Sequence, residues 1–81
     1  MKARVFVSLK TTVLDPQGQA IQAALRSHGY PAVEDVRQGK FFDIVLNTDL
    51  SADQAREEVN KIAANVLANP VIEEFRVEWM E

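Results

Sequence analysis

A strand and then a helix are encoded in residues 3–30, which read ARVFVSLKTTVLDPQGQAIQAALRSHGY. Apolar and more polar positions alternate from Ala3 to Leu9, and Val5 and Val7 fall on the same side. A period of two is typical of a strand with one buried face. The stretch from Ala3 to Leu9 therefore predicts the first strand.

The same stretch then carries the start and stop signals of a helix. Asp15 is a favoured N-cap residue type, and Pro16 suits the first helical position because its missing N–H is not needed there. Gly29 can adopt the left-handed conformation that ends a helix, and His28 suits the last turn. We predict a helix from about Pro16 to His28, with an apolar stripe made of Ala20, Ile21, Ala24 and Leu25.

Three further elements follow in the second half of the chain. Residues Ala32 to Gln38 and Lys40 to Thr48 are rich in Val, Phe and Ile and flank Gly39, which predicts two strands joined in a hairpin. A capping box at Ser51 predicts a second helix that ends before the stop signal Asn69-Pro70. Its apolar stripe is Ala55, Val59, Ile62, Ala63 and Val66, and the alternation from Ile72 to Trp79 predicts a last strand.

This element order predicts a single α+β domain that spans residues 1–81. The order βαββαβ is typical of a ferredoxin-like, two-layer sandwich, in which a four-stranded antiparallel sheet carries two helices on one face. The expected helix-covered side chains are Val5, Val7, Leu9, Phe75, Val77 and Trp79.

The opposite face of the predicted sheet is left open. It carries Phe6 and one of two pairs, either Phe41 with Val45 or Phe42 with Ile44. An apolar open face usually marks a subunit interface. We take Phe6, Phe41 and Val45 as the candidate self-association residues and expect a homodimer or a dimer of dimers, which also suits a chain with so small a core.

Composition limits the classes of function. The chain has no cysteine, one histidine and a net charge of -3, with 47% apolar residues. Disulfides and thiolate zinc sites are thereby excluded, and we expect no metal site. Nucleic-acid binding normally needs a basic face, so we expect no nucleic-acid partner. The apolar runs are too short for a bilayer and no signal peptide is apparent, so we expect a cytoplasmic protein with no membrane partner.

A search for catalytic groups finds none that fits. The pair Gly39-Lys40 lacks the remaining residues of a phosphate-binding loop. The serines have only His28 as a possible base, and it is better explained as a helix-end residue. We therefore predict no catalytic and no cofactor-binding residues on this chain.

One residue resists a purely local explanation. Gly18 lies in the first turn of the predicted helix, where glycine is costly. Its presence indicates that another backbone approaches closely at this point.

Two motifs and their spacing carry a family resemblance. The runs LDPQG at 14–18 and VRQGK at 36–40, with Gly29-Tyr30 between them, resemble the PurS family, the small subunit of phosphoribosylformylglycinamidine (FGAM) synthase. Family members often have a glycine shortly before the first motif, where this chain has Thr11 and Thr12.

The resemblance implies a division of labour in purine biosynthesis. A large synthase subunit would use ATP and Mg to activate formylglycinamide ribonucleotide, and a glutaminase subunit would supply ammonia. This chain would be the non-catalytic subunit that bridges them and supports ammonia transfer. The family motif falls here on the candidate docking residues Lys10, Asp15, Pro16, Gln17, Gly18, Arg37, Gly39 and Lys40.

Two other functions share the predicted topology. An RNA-binding domain could stack bases on Phe6 and Phe41, although the acidic charge argues against it. A regulatory domain that senses a small ligand between protomers is the second alternative.

Overall fold

The fold consists of a three-stranded antiparallel sheet and two helices. A computed structural model describes residues 1–47 and 49–80. Strand β1 lies in the centre of the sheet, in the order β2-β1-β3. The elements in chain order are β1 (Lys2–Leu9), α1 (Pro16–Ser27), β2 (Gly39–Val45), α2 (Ala52–Ile62), a π-helical turn (Ala63–Leu67) and β3 (Glu73–Met80).

The helix ends follow the signals in the sequence. Asp15 caps α1 by accepting a hydrogen bond from the Gly18 N–H, and Gly29 takes a φ of 94° just after the helix. Ser51 and Gln54 form a reciprocal capping box at the start of α2. These local predictions are confirmed.

The core lies between the sheet and α2. Val5 and Val7 of β1 are fully buried against Val59 of α2, and Phe42 and Val77 pack against the same cluster from the two outer strands. Burying one such valine stabilises the fold by about 1.5–3 kcal/mol. The predicted alternation of β1 is confirmed.

The predicted fourth strand is wrong. Residues 32–38 form no strand, and Gly39 is the first residue of β2 instead of a hairpin turn. The backbone here bonds elsewhere, because the Gln38 N–H donates to Asp15 and the Val36 carbonyl packs against Gly18. Strand β2 ends at Val45, and the predicted strand end at Thr48 lies outside the described residues.

The two helices differ in how much of the core they build, since the core side chains come from α2 and not from α1. No residue of α1 belongs to the core or packs against it, and Ile21 is 39% exposed. Phe75 and Trp79 point to the helix side of β3 but stay 37% and 39% exposed. The predicted apolar stripe of the second helix is buried or partly buried as far as Ala63, but its last member, Val66, lies in the π-helical turn and is 74% exposed.

The open face of the sheet carries aromatic and charged side chains in rows. The register pairs Phe6 with Phe41, which decides between the two predicted alternatives in favour of Phe41 and Val45. The Arg4 guanidinium lies 4.5 Å from the centre of the Phe41 ring, and the Arg76 guanidinium lies 4.3 Å from that of Phe6. The predicted apolar face is therefore aromatic and partly covered by arginines.

Within residues 1–47 and 49–80, no helix has both the length and the apolar character that crossing a membrane would require.

Candidate docking site

The structure brings the two motif segments, residues 10–18 and 36–40, into direct contact, and we call this contact the motif junction. Arg37 links them, because its Nη2 donates to the backbone carbonyls of Lys10 and Val13, each at 2.9 Å. The planar guanidinium suits this role since it presents several donors in a fixed geometry. One motif therefore holds the loop that contains the other.

Asp15 is the central anchor of the junction. Its side chain is 3% exposed, its Oδ1 accepts from the Gly18 N–H at 3.0 Å, and its Oδ2 accepts from the Gln38 N–H at 2.7 Å. These two hydrogen bonds, with that of Gln38 the larger cause and with Arg37 adding its charge, hold the pKa of the Asp15 carboxyl below its usual value. The ionised carboxylate joins the start of α1 to the residue before β2.

Replacement of Asp15 by asparagine is expected to lower the melting temperature at neutral pH by about 5–10 °C, because one amide oxygen can cap α1 but cannot also replace the carboxylate oxygen that accepts from the Gln38 N–H. The amide would also turn a donor toward the Gln38 N–H. Because the folded pKa of Asp15 is depressed, its contribution to stability is full above the unfolded pKa of about 3.9 and is lost as the pH falls through the folded value. Thermal unfolding followed by circular dichroism at neutral pH and near pH 3 should show a smaller acid-induced loss in the variant. An equal loss in both proteins would contradict this role.

Gly18 lies where the two segments touch most closely. A Cβ at this position would overlap the Val36 carbonyl oxygen and lie 2.7 Å from Asp15 Oδ2. The close backbone approach predicted from the sequence is confirmed. Only a residue without a side chain fits this first turn of α1.

The outer side of the junction presents polar and charged groups. Gln17 Oε1 accepts a 3.0 Å hydrogen bond from Gln38 Nε2, and Lys40 Nζ lies 4.0 Å from a carboxylate oxygen of Glu73. A cleft of about 220 Å³ lies between them, with Ser8 and Asp15 also in its wall. This cleft can accept a side chain of a partner protein.

The predicted docking residues thus fall into two groups. Asp15, Gly18, Arg37 and Gly39 serve the internal contacts of the junction or the start of β2, whereas Pro16, Gln17 and Lys40 are exposed and Lys10 is partly buried. These last four residues form the outer group. Sequence reasoning missed Val36, Gln38 and Glu73, of which Val36 and Gln38 lie inside the second motif and could have been found there.

Comparison with known proteins explains why the two motifs occur together. The family model for PurS, described as phosphoribosylformylglycinamidine (FGAM) synthase, matches residues 2–81. This chain belongs to the PurS family. The PurS subunit of Bacillus subtilis is 45% identical over 99% of this chain and 93% of its own length. That of Methanocaldococcus jannaschii is 36% identical over 95% of this chain and 92% of its own length.

Solved PurS structures share the fold. The Bacillus subtilis PurS structure superposes with a TM-score of 0.83 at 44% identity and covers 99% of this chain and 98% of that one. A chain in the structure of PurLQS from Thermotoga maritima gives a TM-score of 0.85 at 31% identity, over 95% of this chain and 93% of that one. The chain is accordingly a subunit of FGAM synthase, a ligase complex of purine biosynthesis. Family membership displaces the RNA-binding and ligand-sensing alternatives.

Proposed function

We propose that this PurS chain bridges the large synthase subunit and the glutaminase subunit and supports ammonia transfer between them. The observation that carries the proposal is its likeness to a chain of the solved PurLQS complex. The activated substrate would be formylglycinamide ribonucleotide, and ATP and Mg would bind to the large partner and not to this chain. The proposal includes the cytoplasmic location expected from the sequence.

The motif junction is the proposed docking site for the large synthase subunit. Its backbone is held by Asp15 and Arg37, so a partner would meet a surface that is already ordered. Preorganised groups lose little conformational entropy on binding. Lys10 and Lys40 would face carboxylates, or a nucleotide phosphate, on the partner.

Self-association is proposed through the open face of the sheet, by way of Phe6, Phe41 and Val45. Phe41 and Val45 are 54% and 78% exposed, and they lie on the same face as Phe6. Two such faces related by a two-fold axis would place aromatic rows against each other. The expected assembly is a homodimer or a dimer of dimers.

Reversing two charges at the junction tests the docking role. In the double variant Lys10→Glu, Lys40→Glu, repulsion replaces attraction, and we expect at least about a tenfold loss of glutamine-dependent FGAM synthesis at limiting subunit concentration. Folding should be preserved, because Lys40 is exposed and Lys10 is only partly buried, and surface substitutions usually change stability by about 0.5 kcal/mol or less. The measurement is the activity of the reconstituted complex, with circular dichroism of the variant alone.

A matched control keeps the charge change and moves it elsewhere. The double variant Arg56→Glu, Lys61→Glu has the same net charge, and both side chains lie on α2, where they are 66% and 68% exposed. It should support nearly full activity. Equal activity of both double variants would overturn docking through the junction, and the isolated wild-type chain, expected to be inert, provides the blank.

A further inference from the structure

The chain between α2 and β3 exposes several apolar side chains. Residues 66–72 read VLANPVI, and we call this segment the valine loop. Val66 and Val71 are 74% and 77% exposed, and Ile72 is 39% exposed. Single exposed apolar residues are common on protein surfaces, but a cluster of them marks an interaction surface. The valine loop therefore has the character of a contact site.

A π-helical turn is the reason that Val66 lies at the surface. In a regular α-helix, Val66 would continue the buried side that carries Val59 and Ala63. The Ala68 N–H instead donates to the Ala63 carbonyl, five residues back, at 2.9 Å, so the turn contains one extra residue. As a result Leu67 packs against the core and Val66 is exposed. Such turns are rare and occur frequently at functional sites.

Hydrogen bonds hold the valine loop in one conformation. Asn69 Oδ1 accepts from the Val71 N–H at 3.1 Å. The Asn69 carbonyl accepts from the N–H groups of Ile72 and Glu73, at 3.1 and 2.7 Å. In return, Glu73 Oε1 accepts from the Asn69 N–H at 2.7 Å. A partner would therefore meet an ordered loop, which reduces the conformational entropy lost on binding.

The valine loop also borders the motif junction. The Lys10 N–H donates to the Ile72 carbonyl at 2.9 Å. The carboxylate of Glu73 holds the Asn69 N–H with one oxygen, and its other oxygen lies 4.0 Å from Lys40 Nζ. Both lysines of the junction are thus tied to the valine loop or to the residue that follows it. Apolar and charged groups meet at this end of the sheet.

We propose that the valine loop forms the apolar centre of the surface that docks the large synthase subunit, with Lys10 and Lys40 at the charged rim. The inference rests on the proposed function and adds an apolar contact to it. Protein interfaces have an apolar core and a polar rim. The outer group of the junction is mostly polar or charged, and rim charges contribute more to the association rate and to specificity than to affinity. The valine loop is the neighbouring surface that can supply affinity.

Charge favours the large subunit over a second copy of this chain. In a two-fold contact the same patch occurs on both sides, so two lysine rims of the same sign would meet. A partner with an apolar pocket bordered by carboxylates would satisfy both the valines and the lysines. The large synthase subunit is therefore expected to present such a pocket.

The test removes the apolar side chains and titrates the assembly. In the double variant Val66→Asp, Val71→Asp, we expect the concentration of this chain that gives half-maximal glutamine-dependent FGAM synthesis to rise by about tenfold or more. The synthase and glutaminase subunits are kept at fixed concentrations. Activity at saturating variant should return to the wild-type value, because the change affects docking and not the reaction. The matched control is Asn60→Asp, Asn65→Asp, which adds the same charge at exposed positions of α2 and the π-helical turn.

Two results separate this inference from the proposed function. If the valine variant titrates like the wild type while Lys10→Glu, Lys40→Glu does not, the valine loop lies outside the docking surface and the proposed function stands. If neither variant shifts the titration, docking at this end of the molecule is wrong as well.

Two further results would also overturn the role of the valine loop. An equal shift in the asparagine control would show a general effect of charge. Weaker self-association of the valine variant in sedimentation equilibrium would assign the loop to a contact between copies of this chain. If circular dichroism shows that the aspartate variant does not fold, Val66→Ser, Val71→Ser decides by the same titration.

Discussion

Replacing Gly18 with alanine is expected to lower the free energy of unfolding by about 2–3 kcal/mol, as an overpacked core position does. Helix propensity alone predicts the opposite, because alanine is favoured over glycine in a helix by about 1 kcal/mol. The steric effect should prevail, since the new Cβ would overlap the Val36 carbonyl oxygen, which is backbone and cannot rotate away. Relieving the overlap requires the motif junction to open.

The measurement is urea unfolding followed by circular dichroism, at one protein concentration for all variants. Gly29→Ala is the control, because Gly29 has a φ of 94° but a Cβ added there would meet no heavy atom of another segment within 4 Å. Its cost should be that of a left-handed alanine alone, about 1–2 kcal/mol. A Gly18→Ala protein as stable as the wild type would show that the two segments are not closely packed. We also expect this variant, but not Gly29→Ala, to lose activity in the reconstituted complex.

The elements that the sequence predicted correctly are those that depend on neighbours along the chain. The caps of α1 and α2 involve residues three positions apart, Asp15 with Gly18 and Ser51 with Gln54. The alternation of β1 reflects one buried face. In each case the contacts that form the element involve residues close in the sequence, so the local pattern was enough to predict it.

The prediction of a fourth strand was wrong because of a long-range contact, which no local sequence pattern can indicate. Residues 32–38 have the composition of a strand, but the Gln38 N–H is taken by a carboxylate 23 positions earlier in the chain. A composition rich in strand-forming residues shows that a segment would fit into a sheet, but it does not show that a neighbouring strand is available to pair with it.

The candidate docking residues show the same contrast between what local sequence indicates and what long-range contacts decide. The resemblance identified the motif residues, but it could not separate those that build the junction from those that face outward. Arg37 looks like a surface cation in the sequence, yet it bonds to two carbonyls of the opposite segment. Glu73 could not be singled out, since its role depends on Lys40, which is brought near it by the pairing of the strands with β1.

Phe6→Glu is expected to raise the dissociation constant of the open-face assembly by about 30-fold or more. Phe6 lies in the middle of this face, where its ring centre is 6.0 Å from that of Phe41 and the Arg76 guanidinium lies over it. A carboxylate there would be buried between two sheets, where an uncompensated charge is costly. In the monomer the same carboxylate lies beside the Arg76 guanidinium in water, so the fold should tolerate it.

This difference between monomer and assembly makes the variant informative. Sedimentation velocity at micromolar concentration should show a smaller species for Phe6→Glu, with an unchanged circular dichroism spectrum. Phe6→Leu is the conservative control, and it should keep most of the association because it keeps an apolar side chain at the centre. If wild type and Phe6→Glu sediment alike, the arginines that cover Phe6 and Phe41 belong to a solvent-facing surface.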